Sequence, residues 1–318
     1  MKLGAVNRIL VICPGSMGDV LVATPALRTL KAAFPRAHLT CAAQAPVQEV
    51  LFNNSDIDEL VSYDPNTLRQ LLDHRPPYDL ALHLMGGFDA IPLLAGARIR
   101  VGRYRLQVGG SSPYNVLADV SPAADVIEHF LAFTRALGLP DASRKTCLVL
   151  TPEEHDFAAS FWEDSGLPGA GPVVGLHPGG CDPKRLWAPE HYARAADGIT
   201  ARTGCPILVF QGPGERETAE SVCRQMQSRA LLAPLLEVRK YAALVGKCRL
   251  FLTSDGGPLH IAAAVGVRLL AIFRDEAGAD RWFPYGDQKG RLHLLASAPA
   301  DIFLQEVVNA ALKLYNEP

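Results

Sequence analysis

At 318 residues, with 48% hydrophobic and 20% charged side chains, the chain has the composition of an ordinary globular protein and length enough for two cores. A formal net charge of -2 gives no basis for non-specific attraction to nucleic acid, and no apolar run reaches the roughly 18 residues that a membrane span needs. Seven cysteines (13, 41, 147, 181, 205, 223 and 248) contain no Cys-x-x-Cys pair. Free thiols in a reducing cytoplasm are therefore expected, not a zinc site or a disulfide framework, and the N-terminus reads as lacking a cleavable secretory signal.

Arg8-Ile-Leu-Val-Ile-Cys13 reads as a parallel strand buried on both faces. Pro14-Gly15-Ser16-Met17-Gly18-Asp19 follows as a glycine-bearing turn, and a helix is expected over 20–34 with Pro25 in its early part. This is the opening of a Rossmann-like half, although Gly15 and Gly18 lack the spacing of the dinucleotide fingerprint and no Walker A loop occurs. A nicotinamide-dependent oxidoreductase is disfavoured for that reason. Asp19 falls at the carboxyl end of the first strand, where catalytic groups gather in such sheets; a helix cap is an equally good local reading.

Further strands are expected at 38–43, 59–63, 78–84 and 98–103, with helices near 46–53, 65–74 and 88–96. Asp56-Ile-Asp58 has the Asp-x-Asp form of metal-dependent sugar transferases, but in a polar loop it reads as a solvated pair. Arg98, Arg100, Arg103 and Arg105 put four guanidinium groups in eight residues. They suit either a solvated sheet edge or a basic patch for an anionic acceptor. Residues 123–138 form an amphipathic helix by their apolar spacing.

The densest Gly/Pro cluster, Gly166–Pro172, marks a boundary between domains 1–166 and 167–318. The opening pattern then recurs: a strand over 173–177, a Pro178-Gly179-Gly180 turn, and a helix over 189–203 with Pro189 at its start. Lys184 and Arg185 lie between turn and helix, placed to neutralise a phosphate. After a strand at 206–211, Glu215 or Glu217 suits the two hydroxyls of a ribose, while an acidic first helical turn that favours the dipole explains them as well. Finally, Asp255-Gly256-Gly257-Pro258 sits between strands at 249–253 and 267–273. Asp255 reads as a capping carboxylate, the glycines as bare backbone, and Gly266 as the helix stop. Backbone N–H groups at the positive end of a helix suit a diphosphate. The last helix, 302–314, is expected to pack against one or both domains.

In order and spacing, several motifs together resemble the glycosyltransferase family 9 heptosyltransferases. They are Ser16-Met-Gly-Asp-Val-Leu21 with Thr24-Pro-Ala-Leu27, Tyr78 to Gly86, Leu93 to Gly102, His177-Pro-Gly-Gly180 with Lys184-Arg185-Leu-Trp187, and Ser254 to Ala264. The resemblance implies an α/β protein of GT-B fold, with two facing Rossmann-like domains and a cleft between them: an N-terminal acceptor domain and a C-terminal nucleotide-sugar domain. It implies an inverting transfer of heptose from ADP-heptose, with no metal or other cofactor required, to a lipopolysaccharide inner core. By position Asp19 resembles the general base and Lys184 the group that stabilises the departing diphosphate. Gly179, Gly180, Arg185, Asp255, Gly256, Gly257 and His260 would surround the donor, with Glu215 or Glu217 on the ribose. Gly18 and the arginines at 98, 100 and 103 would face an anionic glycolipid, at the cytoplasmic face of the inner membrane. Where the family usually has Asp-Ser/Thr-Gly this chain has Asp255-Gly256-Gly257; where it commonly has Asp this chain has His83, and Phe88-Asp89 replaces a commonly basic pair. The alternatives are a family 9 transferase acting on a natural product or a protein, and a non-catalytic nucleotide-binding module.

Overall fold

Short apolar runs that end in glycine or proline turns, such as Ile9-Leu-Val-Ile12 and Leu250-Phe-Leu252, bury both faces only when helices cover a parallel sheet on each side. The computed structural model shows that arrangement twice. It describes residues 3–64, 66–67, 70, 77–85, 96–103, 112–121, 123–167, 171–180, 186–286, 288–296 and 300–317, and the side chains of all of these but 300–302.

The chain divides into two compact units, Met1–Val149 and Leu150–Pro318. In the first, strands β1 (Arg8–Ile12), β2 (His38–Ala43), β3 (Glu59–Ser62), β4 (Leu80–His83), β5 (Ile99–Arg103) and β6 (Val116–Ala118) form one sheet in the order β3-β2-β1-β4-β5-β6. Every pairing is parallel. The described helices of this unit are α1 (Met17–Val22), α2 (Thr24–Ala33) and α3 (Val126–Arg135), and Val47–Leu51 is a 3₁₀ turn.

The second unit opens with helix α4 (Pro152–Asp164), followed by β7 (Val174–His177), α5 (Pro189–Thr203), β8 (Ile207–Val209), α6 (Arg216–Gln225) and β9 (Ala230–Leu232). Then come α7 (Val238–Lys247), β10 (Leu250–Ser254), α8 (Gly257–Val265), β11 (Arg268–Phe273), α9 (Glu276–Trp282), β12 (Arg291–Leu295) and α10 (Ala300–Asn316). Its strand order is β12-β11-β10-β7-β8-β9. Counted within each unit the two orders are the same, 3-2-1-4-5-6, the doubly wound Rossmann order.

Several sequence expectations change. The helix expected over 20–34 is two helices: Pro25 lacks an N–H and starts α2, and the Thr24 hydroxyl donates to the Leu21 carbonyl at 2.6 Å, closing the turn between them. The chain divides at Val149–Leu150 instead of within Gly166–Pro172. Helix α4, which a boundary at 166 leaves with the first half, is held by α7, whose buried Arg239 donates to Glu154 at 2.8 Å. Helix α10 packs Phe303, Val307, Val308, Ala311 and Leu314 into the core that holds Tyr192 and Ile199 of α5. Asp56 and Asp58 are structural: Arg28 pairs with the first at 3.1 Å, and Lys31 with the second at 2.6 Å. The helices expected at 65–74 and 88–96, and Phe88-Asp89 and Arg105, lie outside the described residues apart from 66–67, 70 and Gly96. Among the described residues no helix is long and apolar enough to cross a membrane, and no cluster of His, Cys, Asp or Glu is arranged for a metal ion.

Candidate functional site

In a doubly wound sheet the loops at the carboxyl ends of the strands splay apart where the strand order reverses, and ligands bind in that crevice. The reversal lies between β1 and β4 in the first unit and between β7 and β10 in the second. Each pair of loops is described within its own unit.

After β1, Ser16 caps α1, and Asp19 completes a capping box. The Ser16 N–H and hydroxyl donate to Asp19 Oδ2 at 2.9 and 2.7 Å. One carboxylate oxygen is thus pinned, and among the described residues Oδ1 accepts no hydrogen bond. The capping reading of Asp19 is the one observed, and the cap fixes the carboxylate in place. Gly15 is required here: a Cβ would come within 2.6 Å of Asp19 Cβ and 2.7 Å of Met85 Sδ. Gly18 is buried in α1.

At the end of β4, level with Ile12 of β1, His83 is buried and its Nδ1 lies 2.6 Å from the Tyr114 hydroxyl. The Tyr114 ring occupies the space that any side chain at Gly102 would fill. Burial raises the Tyr114 pKa, and the charge of Arg103 acts against that rise. Arg103 ends β5, at the carboxyl edge of the sheet, and is exposed. Arg98 and Arg100 turn the other way. Arg98 donates to the Ala5 carbonyl at 2.9 Å, and Arg100 to those of Ala97 and Pro113 at 2.8 and 2.7 Å. Ala5 and Ala97 precede their strands, so these two guanidinium groups brace the amino edge, and among the described arginines of the predicted patch only Arg103 is at the ligand edge.

In the second unit Tyr192 of α5 meets Ser254, the last residue of β10, with the two hydroxyls 2.5 Å apart in the core. Asp255 follows, partly exposed, and α8 starts at once with Gly256 as its N-cap. Asp255 is therefore not the cap. Among the described residues no side chain caps α8; Pro258 lacks an N–H, the Leu259 N–H donates back to the Gly256 carbonyl at 3.2 Å, and Gly266 ends the helix with φ 84°. A Cβ on Gly180, after β7, would meet Leu186 Cδ2 at 2.8 Å and the Asp255 carbonyl at 3.9 Å. The β7 and β10 loops are therefore neighbours. His260 is buried with its Nδ1 2.9 Å from the Tyr285 hydroxyl, and desolvation lowers its pKa to about 4, which keeps it neutral.

Glu215 is the other centre of this edge. Its Oε2 accepts the Gly212 N–H at 2.6 Å and lies 3.0 Å from His177 Nε2, on a bent approach. His177 Nδ1 is in turn 3.0 Å from the buried Tyr241 hydroxyl. Burial pushes the Glu215 carboxyl up, but His177 and the N–H groups of Gly212 and Gly180 outweigh it and hold the pKa below the usual value. A side chain at Gly179 would overlap that carboxylate. Glu217 is exposed in the first turn of α6. Lys184 and Arg185 lie outside the described residues; Trp187, just after them, is buried against Tyr192 and Phe303. Sequence reading assigned no role to His177, Tyr192, Tyr241 or Tyr285. The only signal was His177 standing before Pro-Gly-Gly, since hydroxyl partners 25 to 64 positions apart leave no local pattern.

Two glycine loops and a helix N-terminus on one edge, with a pinned carboxylate on the equivalent edge of the first sheet, suit a transferase of a phosphate-bearing donor. The family model of glycosyltransferase family 9 (heptosyltransferase) matches residues 67–302, more than half of the chain. The chain belongs to glycosyltransferase family 9. It is a glycosyltransferase of α/β, two-domain GT-B fold. A curated relative, lipopolysaccharide heptosyltransferase 2 of Salmonella typhimurium, is 25% identical over 292 residues, covering 84% of this chain and 82% of its own. The family 9 transferase of Veillonella parvula has the same fold, with a TM-score of 0.83 at 23% identity over 98% of each chain. So has the E. coli ADP-heptose lps heptosyltransferase II, with a TM-score of 0.76 at 21% identity, covering 96% of this chain and 99% of that one.

Proposed function

We propose that the enzyme transfers a heptose from ADP-heptose to a hydroxyl of the lipopolysaccharide inner core, with inversion and without a metal ion. The observation that carries this reading is the β7–β10 edge, where the uncapped α8 N-terminus adjoins the Gly179-Gly180 turn, in a chain whose relatives are named lipopolysaccharide heptosyltransferases. The first unit takes the acceptor and the second the donor.

Asp19, through Oδ1, removes the proton from the acceptor hydroxyl as its oxygen attacks the anomeric carbon. The bond from that carbon to the diphosphate oxygen breaks, and ADP leaves with the electron pair. A single displacement from the opposite face inverts the anomeric centre. Lys184, with Arg185 beside it, meets the negative charge that grows on the diphosphate, as do the N–H groups around Gly256 and Gly257. Asp255 holds sugar hydroxyls and Glu215 the ribose. Arg103 faces an anionic glycolipid at the cytoplasmic face of the inner membrane.

Titration calorimetry with ADP, GDP and UDP, each with and without magnesium, tests the donor site. ADP alone should bind, equally well with EDTA, and Lys184→Ala should abolish binding. Preference for UDP or GDP would overturn the heptose donor. Activity confined to small aglycones or peptides in an acceptor screen would overturn the inner-core acceptor.

A further inference from the structure

The Glu215 carboxylate is far more constrained than a surface group that meets a ribose needs to be. The Gly212 N–H donates to Oε2 at 2.6 Å, and His177 Nε2 lies 3.0 Å from the same oxygen. Gly179 and Gly212 lack side chains where the carboxylate passes: a Cβ on Gly212 would come within 2.8 Å of Oε2, and one on Gly179 would overlap it. Behind the carboxylate, His177 is 1% exposed and Tyr241 7%, so neither reaches solvent or a ligand. Neither has a use in the chemistry above.

The protonation of this chain follows from its ends. Glu215 can only accept when ionised, so His177 Nε2 must carry the proton that faces it. Nδ1 is then an acceptor, and the Tyr241 hydroxyl is its donor. Burial raises the Tyr241 pKa, which keeps that hydroxyl protonated. The loop after β8 thus holds Glu215 by a hydrogen bond, with His177 of β7, itself anchored by Tyr241 of α7, close against the same oxygen, and among the described residues Oε1 accepts no hydrogen bond.

We propose that His177 and Tyr241 are positioning residues that hold the Glu215 carboxylate for the ribose hydroxyls of the donor, and that Gly179 is glycine to admit this carboxylate. The inference rests on the donor reading above and adds the groups that set how strictly the ribose is recognised.

The test compares binding of ADP with that of 2′,3′-dideoxy-ADP, in the full chain and in Glu215→Gln, Tyr241→Phe, His177→Gln and His177→Leu. The wild type should prefer ADP by ten-fold or more, the worth of one to two hydrogen bonds to a charged group. Glu215→Gln should bring the preference near unity. Tyr241→Phe, which removes only a hydroxyl, should lower it several-fold with affinity for the dideoxy nucleotide unchanged. His177→Gln, which keeps a donor towards Glu215, should retain more of it than His177→Leu. A merely structural role would weaken both nucleotides alike. An undiminished preference in Tyr241→Phe and both His177 variants overturns the positioning role while the donor reading stands. No ADP binding by the wild type overturns the donor reading, and the ribose role with it.

Discussion

His83, His177 and His260 are buried at the ligand edges, and each turns Nδ1 to a tyrosine hydroxyl, at 2.6, 3.0 and 2.9 Å. Such a pair gives one ring nitrogen a buried partner. For His260 the consequence is measurable. Its folded pKa, about 4, is below the ordinary value near 6.5, so between these the unfolded chain binds more protons. Stability is therefore lost as pH falls from about 6.5 through about 4, by up to ~3 kcal/mol for a shift of this size. Thermal melts across that window should show a shallower pH slope in His260→Gln than in the wild type. Glu215, whose folded pKa is lowered, contributes stability above its unfolded value that disappears as pH falls through the folded one. Asp19→Asn keeps an acceptor for the Ser16 cap but cannot take a proton. Its melting temperature should stay close to wild type while kcat falls by about 10²–10⁴, the usual contribution of a general base. Gly179→Ala should displace the Glu215 carboxylate, lowering both melting temperature and ADP affinity.

At the scale of elements, α8 carries the most exposed dependence on one residue. Gly256 caps it with extended backbone, φ 167°, and a Cβ there would meet only Pro258 Cδ, at 3.6 Å. Gly256→Ser is thus sterically free. It should raise the melting temperature slightly, since serine exceeds glycine as an N-cap by a few tenths of a kcal/mol. Its hydroxyl should also tighten ADP binding several-fold by calorimetry, as one added hydrogen bond to a charged group would. The strand–helix–strand unit around α8 was legible in the sequence, and so was α5, bounded by Pro189 and Gly204. Both have glycine or proline at the ends and a strong apolar run beside them. The edge strands β6 and β9 were not, because three residues with half-buried faces carry no period, and β12 alternates too weakly to stand out. The break between α1 and α2 was hidden because the apolar spacing continues through Thr24, and only the proline marks it. Asp19, Gly179, Gly180, Glu215 and the 255–257 turn could be singled out as candidates because each follows a strand. The tyrosines that fix the histidines come from distant positions, and only the folded sheet brings them there.

Over the whole molecule, two units with the same strand order follow from the strand–Pro-Gly–helix opening that the sequence repeats after Ile12 and after His177. The repetition gives each unit one crevice at its own strand reversal, so acceptor and donor chemistry can sit on separate sheets. The most direct measurement of the central claim is a transfer assay. The purified enzyme is given ADP-heptose and a deacylated inner-core acceptor, with and without EDTA, and the product is read by mass and by the anomeric coupling of the new linkage. The account predicts stoichiometric release of ADP, one added heptose with inverted configuration, the same rate with EDTA, and loss of product in Asp19→Asn. Retained configuration, a requirement for metal, or full activity of Asp19→Asn would contradict it.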